Sequence, residues 1–239
     1  MLLQVTDYLD HRNRPLWDEL SSEYTVTVKM TEDNNYGIYI RNKFAEISVP
    51  AQPVCIDSFT HELLHLHIDQ KGVRIGPSLQ LLSQADKLLS FIPQDLWSHA
   101  GNCLEHVKML PRYLQMGFDR RKFLYDYDLY KGAKAELGYI SAYMASAGNP
   151  WKIASHLFLG RYFSMKACPN DAFDYTVPMA ILEQADSELY QVCETLWLDW
   201  EKYDYTNDGV FNSYRSVSFD FIEALGKWAE KRIEQGLAD

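Results

Sequence analysis

The segment Thr60-His61-Glu62-Leu63-Leu64-His65-Leu66-His67 holds the residues of this chain best placed to do chemistry. On a helix, His61 and His65 stand four residues apart and project from one face. Two neutral imidazoles so placed can take one zinc ion from the same side. Glu62, one residue on, is within reach of a water on that metal and can take its proton. One short segment would thus supply two ligands and a general base. The competing reading is an ordinary helix that carries two histidines by chance, and the surrounding elements decide between the two.

Those elements begin with residues 1–22, which read as a short helix or arm. Three strand-like runs follow: Tyr24–Met30, Tyr36–Ile40 and Ala45–Val49. They are rich in β-branched residues, with the turn-like Glu32-Asp33-Asn34-Asn35 after the first and Pro50 after the third. A small antiparallel sheet is expected, with the 45–49 strand free to pair with an extended substrate. Pro53 and Asp57-Ser58 signal a helix start, and Gly72 ends a helix reaching about Gln70. On its wheel Phe59, Leu63 and Leu66 share one face, while Leu64 and Ile68 lie nearly opposite. A helix apolar on two sides is buried on two sides. That places His61, Glu62 and His65 inside the fold, at a cleft. From Gly76 the pattern is helical, with helices expected near 78–91, 95–116, 130–147, 151–166, 178–203 and 213–235. The fold class is therefore α+β, one domain over 1–239.

A catalytic zinc takes a third protein ligand and keeps one position open. His67 is about 200° past His65 around the helix, so it points elsewhere. Asn102-Cys103-Leu104-Glu105-His106, in a second helix, is the better source. Glu105 would make a two-His, one-Glu site and His106 a three-His site. The wheel of residues 95–110 centres its apolar face near Ala100, Cys103 and Val107, so periodicity favours His106.

His61-Glu62-Leu63-Leu64-His65, preceded by strands and followed by Asn102-x-x-Glu105-His106, Pro111 and Leu114-Gln115-Met116-Gly117-Phe118, resembles the zincin metallopeptidases, and within them small bacterial zincin-like proteins. The resemblance covers residues 24–118, as a zincin-like core, and leaves 119–239 as a helical extension packed on it. It implies a Zn²⁺ site with His61 and His65 as ligands, Glu62 as general base and Glu105 as third ligand. The chain departs from two zincin patterns. No Gly-x-x-His follows His65, and Met109 stands where a Glu-x-x-x-Asp motif would have its Asp.

Other chemistry is excluded or subordinate. Net charge is −10, which repels nucleic acid and anionic membrane, and Arg120-Arg121-Lys122 is too short a basic run to offset it. No phosphate-cradling glycine motif and no serine-hydrolase elbow occurs. The acidic stretch from Asp204 to Asp208-Gly209 lacks a calcium loop's final Glu, since Arg215 stands at that position. Cys55, Cys103, Cys168 and Cys193 form no C-x-x-C pair, and the N-terminus has no signal-peptide pattern, so a cytoplasmic setting is expected. Tyr125–Tyr130 and His156 are further candidates for an acid or oxyanion donor. The expected activity is zinc-dependent hydrolysis of a peptide or protein substrate. The alternative is a zincin fold used for binding or regulation, its zinc structural or silent. A protein partner or second copy would then dock on C-terminal helices through Trp197, Trp200 and Trp228.

Overall fold

The structure, a computed structural model, describes residues 4–33, 35–51, 53–207 and 213–237. Three sequence readings touch residues outside this set: Met1–Leu3 at the start, Asn34 in the first turn, and Asp208-Gly209 in the acidic loop. The described chain is α+β and mostly helical, with one small three-stranded sheet. It divides into two compact units, each assembled from two stretches of sequence. One comprises Met1–Val73 with Lys108–Asp128, the other Arg74–Val107 with Leu129–Asp239.

In the first unit, α1 (Arg14–Glu23) precedes strands β1 (Thr25–Thr31), β2 (Gly37–Arg41) and β3 (Phe44–Pro50). The sheet order is β1-β3-β2, with β1 parallel to β3 and β2 antiparallel to it. This corrects the expected antiparallel sheet. Asn42, at φ +55, opens a two-residue turn that folds β2 directly onto β3. The hairpin takes one edge of β3, so β1 can only add at the other. There it runs in the same direction as β3, anchored where the Thr25 amide donates to the Lys43 carbonyl at 2.8 Å. The strand expected to receive an extended substrate is therefore the central one, with both edges already paired. Alternation holds along β3: Ala45, Ile47 and Val49 are fully buried while Phe44, Glu46 and Ser48 are not.

The helix α2 (Ile56–Gln70) follows. Its N-cap is Cys55, whose sulfur accepts from the Ser58 amide, rather than Asp57 or Ser58. Phe59, Leu63, Leu64, Leu66 and Ile68 are all buried, as the two-sided wheel predicts. Each such side chain is worth about 1.5–3 kcal/mol. Buried Asn13 ties α1 to α2, donating from Nδ2 to Thr60 Oγ1 and to the Tyr8 carbonyl, both at 2.9 Å.

The second unit is helical. It contains α3 (Ile75–Ala85), the first part of α4 (Gln94–Gln115), α5 (Lys134–Met144), α6 (Trp151–Lys166), α7 (Thr176–Ala185), α8 (Ser187–Lys202) and α9 (Tyr214–Leu237). The single helix expected over 178–203 is broken at Asp186, whose carboxylate accepts from the Leu189 amide and caps α8. The same carboxylate accepts from Trp228 Nε1 and from Arg232. Gly76 and Gly101 let α3 and α4 touch: a Cβ on Gly101 would stand 2.4 Å from Gly76 Cα. Trp197, Trp200 and Trp228 are buried within this unit, and Trp200 Nε1 donates to the Leu104 carbonyl at 2.7 Å. They are core residues, so these three side chains are not the docking surface expected of them. No described helix is long and apolar enough to cross a membrane.

Candidate metal centre

Helix α2 puts His61 and His65 on one face, and their Nε2 atoms approach to 3.1 Å. Two nitrogens on one tetrahedral zinc, each about 2.0–2.1 Å from it, stand about 3.3 Å apart. The same separation suits an N–H···N hydrogen bond when one ring carries its proton on Nε2. His106 supplies the third imidazole. It stands on α4, which runs unbroken from Gln94 to Gln115, so Met109 and Tyr113 follow it along the same stripe. One ring nitrogen from each of His61, His65 and His106 lies within 4.8 Å of the other two. His61 and His106 are buried, and His65 is partly exposed.

Electrostatics favour the neutral, ligating form of His61. Burial pushes its pKa well below the usual histidine value, with a further push from His65, against a hydrogen bond with the Phe123 backbone. Glu62 is also buried. Burial raises its pKa above the usual carboxylate value, and His65 opposes that rise. A carboxylate with a raised pKa is a better proton acceptor near neutrality.

The wall beside the histidines comes from the end of α4 and the loop after it. Gly117, at φ +86, turns the chain as α4 ends, with the Phe118 amide donating to the Tyr113 carbonyl at 3.3 Å. The returning segment lays Phe123 against His61, ring centroids 4.8 Å apart, and against Tyr113 at 5.0 Å. Tyr113 donates its hydroxyl to buried Asp57 at 3.3 Å, and Lys122 lies 3.7 Å from the same carboxylate. Asp57 is one turn before His61 on α2, and Tyr113 two turns after His106 on α4. The sequence reading missed both Tyr113 and Phe123. Extending the α4 wheel past residue 110 would have found Tyr113, because seven residues return to nearly the same face. Phe123 has no comparable signal.

The remaining candidates lie elsewhere. Glu105 is not part of the histidine cluster. It lines a cleft in the second unit with Gly76, Gln80, Ser98, Gly101 and Asn102. His67 is held by Arg112 and Gln70. His156, on α6, stacks on Phe91 at 5.9 Å, Tyr125 is almost fully exposed, and Tyr130 stacks on Tyr175.

Three imidazoles form one of the donor sets that catalytic zinc uses, so the residues present fit such an ion. No protein-family model, no curated protein and no solved structure matches this chain.

Proposed function

We propose that this chain is a zinc-dependent hydrolase of peptide or protein substrates, a zincin-like metallopeptidase with Glu62 as its general base. The observation that carries the reading is the convergence of His61, His65 and His106 within 4.8 Å beside a buried carboxylate one residue from His61. Spacing on α2 alone gives two ligands, and the third comes from a different helix. A chance pair of helical histidines does not account for that third imidazole.

In this reading His61, His65 and His106 hold the metal. When bound, zinc supplies Lewis acidity, which brings the pKa of water down to about 7 and polarises a carbonyl oxygen. Glu62 accepts the proton of the attacking water and returns it to the leaving amine. The low-dielectric surroundings of Glu62 raise its pKa and make it a better base than a solvated carboxylate. Phe123, packed on His61, limits that ring's rotation and keeps solvent from its flank. Tyr113 and Asp57 brace α4 against α2.

The test is metal analysis of protein purified without added zinc, together with Glu62→Gln. We expect about one equivalent of zinc in both proteins, and turnover of a casein-type substrate lowered by about 10²–10⁴ in the variant. An unchanged rate in Glu62→Gln rejects the general-base role. Bound zinc with no turnover in either protein favours the binding or regulatory alternative.

A further inference from the structure

The sheet of the first unit ends in two edges, and they differ. β1 pairs residue for residue with β3 over Thr25–Thr31, so it runs without a bulge, and it contains no proline. β2, at the other edge, is shorter, Gly37–Arg41. Backbone groups of successive strand residues point to opposite edges. The Thr25 amide donates to the Lys43 carbonyl in the turn before β3, which fixes the phase. Thr25, Thr27, Lys29 and Thr31 therefore turn their N–H and C=O groups toward β3, while Val26, Val28 and Met30 turn theirs outward. Among the described residues, no backbone group meets these three on the outer side.

The side chains of the same three residues lie on the apolar face of the sheet. In register they stand beside Ala45, Ile47 and Val49, which are fully buried. Helix α2 packs chiefly on β2 and β3. Val26 and Val28 are accordingly only half-buried, and Met30 is 45% exposed. The one charge on the strand, Lys29, projects from the opposite face, with its ammonium 3.9 Å from Glu46. A bulge, a proline or a charge on the apolar face would blunt such an edge, and β1 has none of them.

An open edge of this kind accepts another strand, and β1 is complementary to itself. Two copies fit antiparallel about a two-fold axis at Val28. Val28 of each copy then exchanges both N–H···O=C bonds with Val28 of the other, and Val26 exchanges both with Met30. Every outward N–H and C=O of the strand is satisfied. A slide of two residues leaves one of the three outward residues without a strand partner. The side chains agree with this register. Val28 faces Val28 and Val26 faces Met30 on the apolar side, while Lys29 faces Thr27 on the other, so no like charges meet directly.

We infer that this edge joins two copies of the chain, β1 to β1, into one continuous sheet. The pairing is independent of the hydrolase reading. It puts the second copy, which the sequence places at the C-terminal helices, on the first unit instead. One strand of seven residues makes a small interface, so the dimer is weak, with a Kd on the order of 100 µM.

Sedimentation equilibrium of the full chain between about 0.02 and 1 mM should show monomer passing to dimer with that constant. Amide exchange followed by NMR then locates the contact. Val26, Val28 and Met30 should exchange about threefold more slowly at about 1 mM than at about 0.05 mM, while Thr27 and Lys29 stay unchanged. Val28→Pro removes an outward N–H and spares the ladder to β3, and Val28→Lys sets two ammonium groups face to face at the axis. Each should raise the Kd at least tenfold, with far-UV circular dichroism confirming the fold. A chain that stays monomeric at about 1 mM overturns the inference, as does a dimer without the alternating protection or one that survives both variants. Should the chain be monomeric and a casein digest protect the same three amides, the edge takes extended peptide in place of a second copy.

Discussion

Helix α2 carries histidines on two of its sides, and the sides treat an imidazole differently. On one, His61 and His65 direct Nε2 atoms at each other across 3.1 Å, with His106 nearby. On the other, His67 meets the Arg112 guanidinium at Nε2 and the Gln70 carboxamide at Nδ1, with Glu19 3.8 Å away. Arg112 can only donate, so it occupies the Nε2 lone pair, and Nδ1–H goes to Gln70. Burial, then Arg112 and Lys71, hold the His67 pKa down to about 4. His67 is therefore as neutral as a metal ligand should be, yet it has no nitrogen to give one. Neutrality and spacing make a histidine eligible; what its two nitrogens already touch decides whether it can bind.

Breaking the first side should have the largest effect. His61→Ala or His106→Ala is expected to weaken zinc binding by more than the roughly 100-fold that losing an outer-shell partner can cost. Competition with a chromophoric chelator measures it, and near-wild-type affinity in either variant rejects that residue as a ligand. The second side should answer to acid instead. Above pH 6.5 the His67 ring is neutral in folded and unfolded chains alike, and pH does not act through it. Between 6.5 and about 4 the unfolded chain takes the proton first, so stability falls as pH falls. The slope from this group is at most about 1.4 kcal/mol per pH unit. Denaturant unfolding of chelated protein should show that slope, and His67→Gln should flatten it; an identical acid slope in the variant removes His67 as its source. The smallest effect is expected from Glu19→Gln. Glu19 pairs with Arg112 at 3.4 Å and with Lys71 at 3.8 Å but is largely solvated, so the loss should stay under about 1 kcal/mol. Because Glu19 opposes the depression of the His67 pKa, its removal should push that pKa lower, which histidine proton shifts would read.

The contrast between the sides of α2 was visible in the sequence, because angular position on a helix follows from residue number. So was the burial of Leu63 and Leu66 opposite Leu64 and Ile68. Periodicity also pointed to His106, whereas Glu105 came from family resemblance and lies in another cleft. What failed depended on partners distant in sequence. Alternation in 24–30 and 45–49 says which face of each strand is inward and nothing about which neighbour it takes, so the parallel β1–β3 pair was not legible. Asp186 breaks a long apolar periodicity without Gly or Pro, by capping through one carboxylate. The burial of Trp197, Trp200 and Trp228 depends on helices packing around them, which a single helix pattern does not report.

The first unit is completed by Lys108–Asp128, which is separated from the rest of it by Arg74–Val107. During synthesis at about 5–20 residues per second, Asp128 leaves the ribosome roughly 3–11 s after Val73. Helix α2, with His61 and His65, thus exists for seconds before His106, Tyr113 and Phe123 arrive. A nascent chain in that interval has a two-imidazole site with its apolar flanks uncovered. The length of the intervening 74–107 segment sets how long that exposure lasts.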